Sequence, residues 1–423
     1  VKLCVEGTEG FTEALKACEE RSATLSSDVK RDVSLIIDSV RERGDRALAE
    51  LTIKFDRFDP DTKGISVSPE EMEKGYRRLD ASIRGTLDKI ARRIIAFHEM
   101  QRETGFTLRN DGGGSLTLVT VPVEKAGIYA PGGKAAYPST VLMNALPARV
   151  AGVKEIYAAV PSPDGTLLDE VLGACHLAGV STLFRIGGAQ AIAAFAYGTT
   201  QVPRVDVIAG PGNVYVTEAK RQLFGTVGID MLAGPSELVV LADSGARGEY
   251  VAYDLVSQAE HGEDTFVALV TDSKELAEEV MTLATRIIKK EKREEILTRS
   301  LMNAPVFLVE KIERGIEIVN RLAPEHLSLQ VRKSGEALAH LTRAGTIFVG
   351  PYSPVAAGDY IAGINHTLPT GGSSRFSSPL GVYTFMKRYN VVAYTASSLE
   401  KDLGDIKGIA GREGLTAHGN SAA

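Results

Sequence analysis

Four of the seven histidines in this 423-residue chain fall in short polar or turn-rich segments far apart in sequence. They are His261 in Ser257-Gln258-Ala259-Glu260-His261-Gly262, His326 in Ala323-Pro324-Glu325-His326-Leu327, His366 in Gly363-Ile364-Asn365-His366-Thr367-Leu368-Pro369, and His418 in Gly414-Leu415-Thr416-Ala417-His418-Gly419. Packing alone seldom asks for imidazoles in such places, whereas a metal site with acid and base groups beside it does. Residues Glu249 to Gly262 read as a helix closed by its glycine, with Asp254, Gln258 and His261 at i, i+4 and i+7 on one face. Gln258 and His261 can aim an oxygen and a nitrogen at one point; the plainer alternative is that they cap or bond nearby backbone. A donor set of two His, one Asp and one Gln carries a single negative charge. A divalent ion held there stays net positive and can stabilise an alkoxide.

Asp359 lies in Ala357-Gly358-Asp359-Tyr360, and His418 lies five residues before the end. Terminal residues are ordered only when something holds them, as a metal bond would; a solvated tail histidine is the alternative. Glu325 and His326 follow Pro324 and supply adjacent proton-transfer groups of different natural pKa. Asn365-His366 sits in another Gly/Pro-bounded loop. No serine occupies a nucleophile elbow, which disfavours covalent hydrolysis.

Two kinds of element must position these groups. The first hundred residues read as helical and charged, with apolar Val33, Ile36, Ile37, Val40, Leu48 and Leu51 on a half-buried helix interrupted at Gly44, and a second long helix over 77–101. From about Leu116, strand-like and helix-like runs alternate, and the pattern restarts near Leu238 and includes a long charged helix over 274–297, which predicts parallel sheets flanked by helices. The expected fold is α/β. A helical arm or cap spans 1–110 and a Rossmann-like nucleotide-binding unit 111–235. A second Rossmann-like unit over 236–375 carries most metal and catalytic residues, and 376–423 is a C-terminal arm and tail.

Three strand ends run into glycine turns: Ala130-Pro131-Gly132-Gly133, Ile186-Gly187-Gly188-Ala189-Gln190 and Ala209-Gly210-Pro211-Gly212-Asn213. Glycine there lets backbone N–H groups approach a phosphate at a helix start, beyond the carboxyl ends of the strands. A plain βα turn also favours glycine, and the GxGxxG fingerprint is absent, so any NAD bound here is bound atypically.

Hydrophobic content of 44% and charged content of 24% are those of a soluble globular protein. The net charge of −6 and a pI near 5.8 argue against a nucleic-acid partner. No run is long enough for a membrane span, and residues 1–20 carry charges throughout rather than an apolar signal core, so a cytoplasmic location is expected. Cys4, Cys18 and Cys175 form no CxxC, and Cys175 reads as a small buried hydrophobe rather than a nucleophile.

Several strings together resemble the histidinol dehydrogenase family. They are Arg43-Gly44-Asp45-Arg46-Ala47-Leu48 with Thr52 and Phe55-Asp56, Ile128-Tyr129-Ala130-Pro131-Gly132-Gly133, Gly187-Gly188-Ala189-Gln190-Ala191, Gly210-Pro211-Gly212-Asn213, Ala233-Gly234-Pro235-Ser236-Glu237, and the segments around His261, His326 and His418. The resemblance covers the whole chain. It implies a homodimeric, zinc-dependent oxidoreductase that converts L-histidinol to L-histidine through histidinal with two NAD. The positions it matches imply Gln258, His261, Asp359 and His418 as zinc ligands, the last from the partner subunit, and Glu325 and His326 as the acid/base pair. Ser236, His366 and Glu413 would touch substrate, which also meets His326 and the zinc ligands. Tyr129, Gln190 and Asn213 would touch NAD.

Three other readings stay open on the sequence: a paralogous metal- and NAD-dependent enzyme acting on another small alcohol, a metal-dependent hydrolase or lyase without NAD, and a non-catalytic nucleotide-binding protein.

Overall fold

A computed structural model describes residues 2–21, 26–110, 112–132, 137–302 and 304–422. The strands in chain order are β1 (Lys2–Val5), β2 (Ser66–Val67), β3 (Phe106–Arg109), β4 (Ser115–Pro122), β5 (Lys125–Tyr129), β6 (Glu155–Ala159), β7 (Thr182–Phe184), β8 (Val207–Ala209), β9 (Gly228–Ile229), β10 (Glu237–Ala242), β11 (Phe266–Thr271), β12 (Pro305–Leu308), β13 (His326–Gln330), β14 (Thr346–Val349) and β15 (Met386–Ala393).

They form two six-stranded sheets and one small sheet. The first has order β2-β7-β6-β5-β8-β9 and is parallel except at its β2 edge. The second, β1-β12-β11-β10-β13-β14, is parallel throughout. Both have apolar layers on each face. On the first sheet, helices Ala81–Glu99, Pro138–Ala151 and Asp169–Ala178 bury one layer, and Ser27–Arg43, Asp45–Asp56, Gly188–Tyr197 and Val214–Leu223 the other. On the second, Gly248–Ala259, Lys274–Ile288 and Glu294–Met302 face Glu9–Glu19 and Ile312–Leu322 across the strands. Strands covered on both faces are near-continuously apolar, as Leu238-Val239-Val240-Leu241-Ala242 is. The chain is thus α/β, with two tandem parallel-sheet units, a helical region near its start and a C-terminal arm.

Local detail departs from the expected elements in four places. The start of the chain is a strand: β1 pairs with β12 at the far edge of the second sheet, and Phe11 from the next helix meets Phe307 edge-on with ring centroids 5.3 Å apart. The long helix expected over 77–101 is two, Pro69–Arg78 and Ala81–Glu99, because Asp80 turns the chain and its carboxylate accepts the Ile83 N–H at 2.9 Å. The charged helix expected over 274–297 also breaks, between Ile288 and Glu294. Finally, β4 leaves the parallel sheets and pairs antiparallel with β3 and with β15, so the C-terminal arm is anchored through a separate three-stranded sheet.

Candidate active site

In an open parallel sheet the favoured crevice lies at the carboxyl ends of the strands where the strand order reverses. In the first sheet that point falls between β5 and β8. Tyr129 ends β5 and Asn213 follows β8. Gly210, between them, has φ +118°, and a Cβ on it would sit 1.9 Å from the Tyr129 carbonyl oxygen, so only glycine lets the two strand ends close up. Asn213 caps helix Val214–Leu223 by accepting the N–H groups of Tyr215 and Val216 at 3.0 and 3.2 Å. The Tyr129 hydroxyl accepts the Gly188 N–H at 3.1 Å, at the start of helix Gly188–Tyr197, and burial lifts its phenol to about 12. Gln190, on the first turn of that helix, is buried. Lys220 is fully buried and grips this edge from beneath: its ammonium donates to the Gly210 carbonyl at 2.7 Å and to Asp230 at 2.5 Å, while Asp230 also accepts the Gly210 N–H at 2.7 Å. Gly133 lies outside the described residues.

The second cluster stands at the opposite kind of edge. Leu238 of β10 is in register with His326 of β13, so Glu237, Glu325 and His326 all sit at the amino ends of their strands. His326 Nδ1 lies 3.0 Å from the Glu237 carbonyl oxygen, which can only accept, so Nδ1 carries a proton. The other ring nitrogen, Nε2, lies 3.7 Å from an Asp359 carboxylate oxygen, and the ring stacks on Phe348. Glu325 Oε2 accepts the Glu237 N–H at 2.7 Å and lies 3.5 Å from His326 Nδ1. Burial raises the Glu325 carboxyl. Burial pulls His326 toward its neutral form, but the carboxylates of Glu325 and Asp359 outweigh that and lift it to about 9.

Helices Gly248–Ala259 and Val355–Tyr360 run back from the carboxyl ends of β10 and β14 and finish at this edge. They bring Gln258, buried, with His261 just past the first helix, and Asp359 on the second. Asp254 does not join them: it accepts the Ser328 hydroxyl at 2.8 Å beneath the sheet, where burial raises its carboxyl. His366 closes the group. Its Nδ1 donates to the Asp359 carbonyl at 3.2 Å, and its Nε2 lies 3.2 Å from the Thr140 hydroxyl. Burial lowers its pKa against the opposing pull of Asp359, with His326 and His261 close enough to add to the lowering. Thr140 belongs to the first turn of helix Pro138–Ala151, which follows the first glycine loop, so the two units meet here. Ser236 immediately precedes Glu237 and its carbonyl accepts the Phe266 N–H.

Glu413 and His418 are the exceptions. Glu413 ends helix Ala396–Arg412, and His418 lies on the short helix Thr416–Ser421 packed against it; both are exposed. No hydrogen bond or ion pair among the described residues ties either one to Asp359, His261 or His366. Among those residues no group of three or more His, Cys, Asp or Glu side chains is placed to hold a metal ion. Asp359 and His261 both act electrostatically on His366, and Gln258 is buried within one turn of His261.

Sequence reasoning missed Glu237, Thr140 and Lys220 as parts of this machinery. Glu237 had a signal: it is the single acid at the head of an otherwise apolar strand, Glu-Leu-Val-Val-Leu-Ala. Thr140 had none, because its partner is 226 residues away.

Tandem parallel sheets, with glycine loops on one and a buried acid/imidazole pair on the other, define a dehydrogenase-type α/β protein. The family model for histidinol dehydrogenase matches residues 19–423, and the chain belongs to that family. It is 46% identical over 409 residues to the histidinol dehydrogenase of Aquifex aeolicus, covering 96% of this chain and 95% of that one. To the histidinol dehydrogenase of Hydrogenovibrio crunogenus it is 44% identical over 421 residues, 99% of this chain and 96% of that one. The crystal structure of histidinol dehydrogenase from Elizabethkingia anophelis superposes with a TM-score of 0.93 at 32% identity, covering 100% of this chain and 96% of that one. An acetylating aldehyde dehydrogenase from Geobacillus thermoglucosidasius, 14% identical, shares the fold with a TM-score of 0.51 over 91% of this chain and 94% of that one. No helix among the described residues is long and apolar enough to cross a membrane.

Proposed function

We propose that this chain oxidises L-histidinol to L-histidine through histidinal, with two NAD, as a cytoplasmic zinc-dependent homodimer. One observation carries the reading. His326 has one ring nitrogen committed to the Glu237 carbonyl and the other turned toward Asp359, with the Glu325 carboxylate 3.5 Å from the ring. That is an imidazole held in one orientation beside a second proton carrier, at the helix ends that carry Gln258, His261 and Asp359; a cation there would offset the Asp359 charge that favours the imidazolium and let Nε2 act as a base.

Gln258, His261 and Asp359 suit zinc by donor chemistry: an amide oxygen, an imidazole nitrogen and a carboxylate oxygen. All three lie at or just past helix carboxyl ends, whose partial negative charge favours a cation. His418 of the partner subunit would complete the set. The arm that carries it leaves Val392 61% and Ile409 61% exposed, and Phe106 on β3 of the same small sheet is 64% exposed, apolar surface that a second copy would cover. Bound there, zinc would hold the substrate's nitrogens and offset the Asp359 charge, and NAD would accept the hydrides.

The chain's own residues do the rest. Holding the carbinol carbon in place is the largest contribution, up to about 7–11 kcal/mol of the barrier. His326 Nε2 takes the alcohol proton in the first oxidation. Glu325 then takes a proton from the water that adds to the aldehyde while His326 returns its proton to the carbonyl oxygen, and His326 accepts a proton again from the resulting diol in the second oxidation. Each transfer contributes about 10²–10⁴ in rate. His366, kept neutral by burial, and Ser236 would face the substrate, with Glu413 of the partner subunit. Tyr129, Gln190 and Asn213 would meet the dinucleotide. No covalent cysteine takes part; burial lifts the Cys175 thiol to about 12.

The test follows NADH absorbance with purified protein, NAD and limiting L-histidinol, with and without a chelator. Two NADH per histidinol and loss of turnover on metal removal are expected. A better substrate among related alcohols would point to a paralogous enzyme, and turnover without NADH to a hydrolase or lyase. Removing residues 414–423 should lower zinc content; unchanged zinc would take His418 out of the ligand set.

A further inference from the structure

Beneath the acid/base pair lies an ion pair that none of the roles above uses. Arg21, just after helix Glu9–Glu19, grips Glu237 with two parallel hydrogen bonds, Nε to Oε1 and Nη2 to Oε2, each 2.8 Å. Both side chains are nearly buried, at 10% and 3% exposure. The guanidinium is fixed in turn by the carbonyls of Cys18 at 2.8 Å and Leu322 at 2.7 Å, and it lies 4.6 Å over the Phe266 ring. With four of its N–H groups on carbonyl and carboxylate oxygens, it cannot rotate away without stranding all of them.

Beyond the Arg21 fork, Glu237 makes hydrogen bonds to Gly371, Glu325 and His326, and three of them reach the proposed chemistry. Its carboxylate accepts the Gly371 N–H at 2.8 Å and the Glu325 N–H at 3.3 Å. Its backbone N–H donates to the Glu325 carboxylate at 2.7 Å, and its carbonyl takes the His326 Nδ1 proton at 3.0 Å. Glu237 and Glu325 therefore exchange backbone N–H groups through their side chains, two buried carboxylates side by side. Without a cation, like charges this close repel, and one must move or take up a proton. Arg21 is the cation.

We propose that Arg21 and Glu237 are positioning residues for Glu325. The Arg21 fork holds the Glu237 carboxylate, and with it the peptide that aims the Glu325 carboxylate at the aldehyde-stage water. The first strand and helix of the chain thus have a stake in the second oxidation. This rests on the role assigned to Glu325. The plainer alternative is a stabilising ion pair with no say in the chemistry.

The two make different predictions. The full-length protein, loaded with zinc, is assayed separately on L-histidinol and on supplied histidinal. With Arg21→Met, kcat for the aldehyde step should fall about tenfold more than kcat for the alcohol step, while KM for NAD stays within about twofold. Arg21→Lys keeps the charge but loses the fork, and should restore only part of the aldehyde step; it also serves as the test if Arg21→Met does not fold. Equal losses in both steps, or a folded variant with an unimpaired aldehyde step, would overturn the proposal. Glu325→Gln on the same two substrates separates the failures. If it spares the aldehyde step, the role of Glu325 is wrong; if it impairs that step while the Arg21 variants do not, only the positioning role is wrong.

Discussion

The two sheets offer the same kind of scaffold and use it from opposite ends. The first presents its carboxyl edge, where glycine turns bring backbone N–H groups and helix amino ends together and side chains such as Asn213 and Tyr129 serve as caps. The second presents its amino edge, where helices terminate and acids and imidazoles crowd around Glu237, Glu325 and His326. Helix dipoles give the contrast a physical basis. Helix starts carry partial positive charge and suit a pyrophosphate; helix ends carry partial negative charge and suit a cation. On the proposed reading, the rule that ligands gather at carboxyl strand edges would hold for the nucleotide, while the cation and its proton-transfer groups would be better served at the other edge.

Breaking the second edge should have the largest effect. His326→Asn should slow both oxidations by about 10²–10⁴, read as NADH formation from histidinol and from histidinal. Breaking the first edge should act differently. Lys220→Met strands the buried Asp230 carboxylate and frees the Gly210 turn, so it should cost about 3–5 kcal/mol in denaturant unfolding and raise KM for NAD more than KM for histidinol. An equal rise in both would erase the division between the edges. Glu325→Gln should reduce the aldehyde step by about 10² and spare the alcohol step.

The smallest effect concerns stability. Burial lifts the Asp56 carboxyl from 3.8 to about 6 behind Tyr129, and its Oδ2 has no hydrogen-bond partner among the described residues. A folded pKa above the unfolded one means that the native state holds the proton more tightly, so stability is lost as pH rises from about 4 through 6. Asp56→Asn should therefore be more stable than the parent in denaturant unfolding above pH 7, by on the order of 1–3 kcal/mol after allowing for residual solvent screening, with the advantage gone below pH 4.

Much of this was legible before any coordinates. Alternating strand and helix runs announced the two parallel sheets, and glycine after strand ends marked the loops, because both are local patterns. Glu325-His326 and Gln258-x-x-His261 stood out because such residues are rarely set together by packing. Hidden features depended on distant partners. β1 and β2 are short edge strands identified only by what they pair with, and β4 pairs with a strand that begins at Met386. Arg21 looked like one more charge on a charged helix, and its fork onto Glu237 spans 216 residues. That Asp359 and His366 would meet His326 follows from the return paths of helices, which spacing alone does not encode.

Diffraction at the zinc absorption edge, on crystals grown with zinc, NAD and L-histidinol, tests the division between the edges most directly. The account predicts an anomalous peak bounded by Gln258, His261 and Asp359 with histidinol against His326, and the NAD pyrophosphate at the Gly188 and Gly210 turns. A metal peak elsewhere, or the dinucleotide lodged at the carboxyl edge of the second sheet, would contradict it.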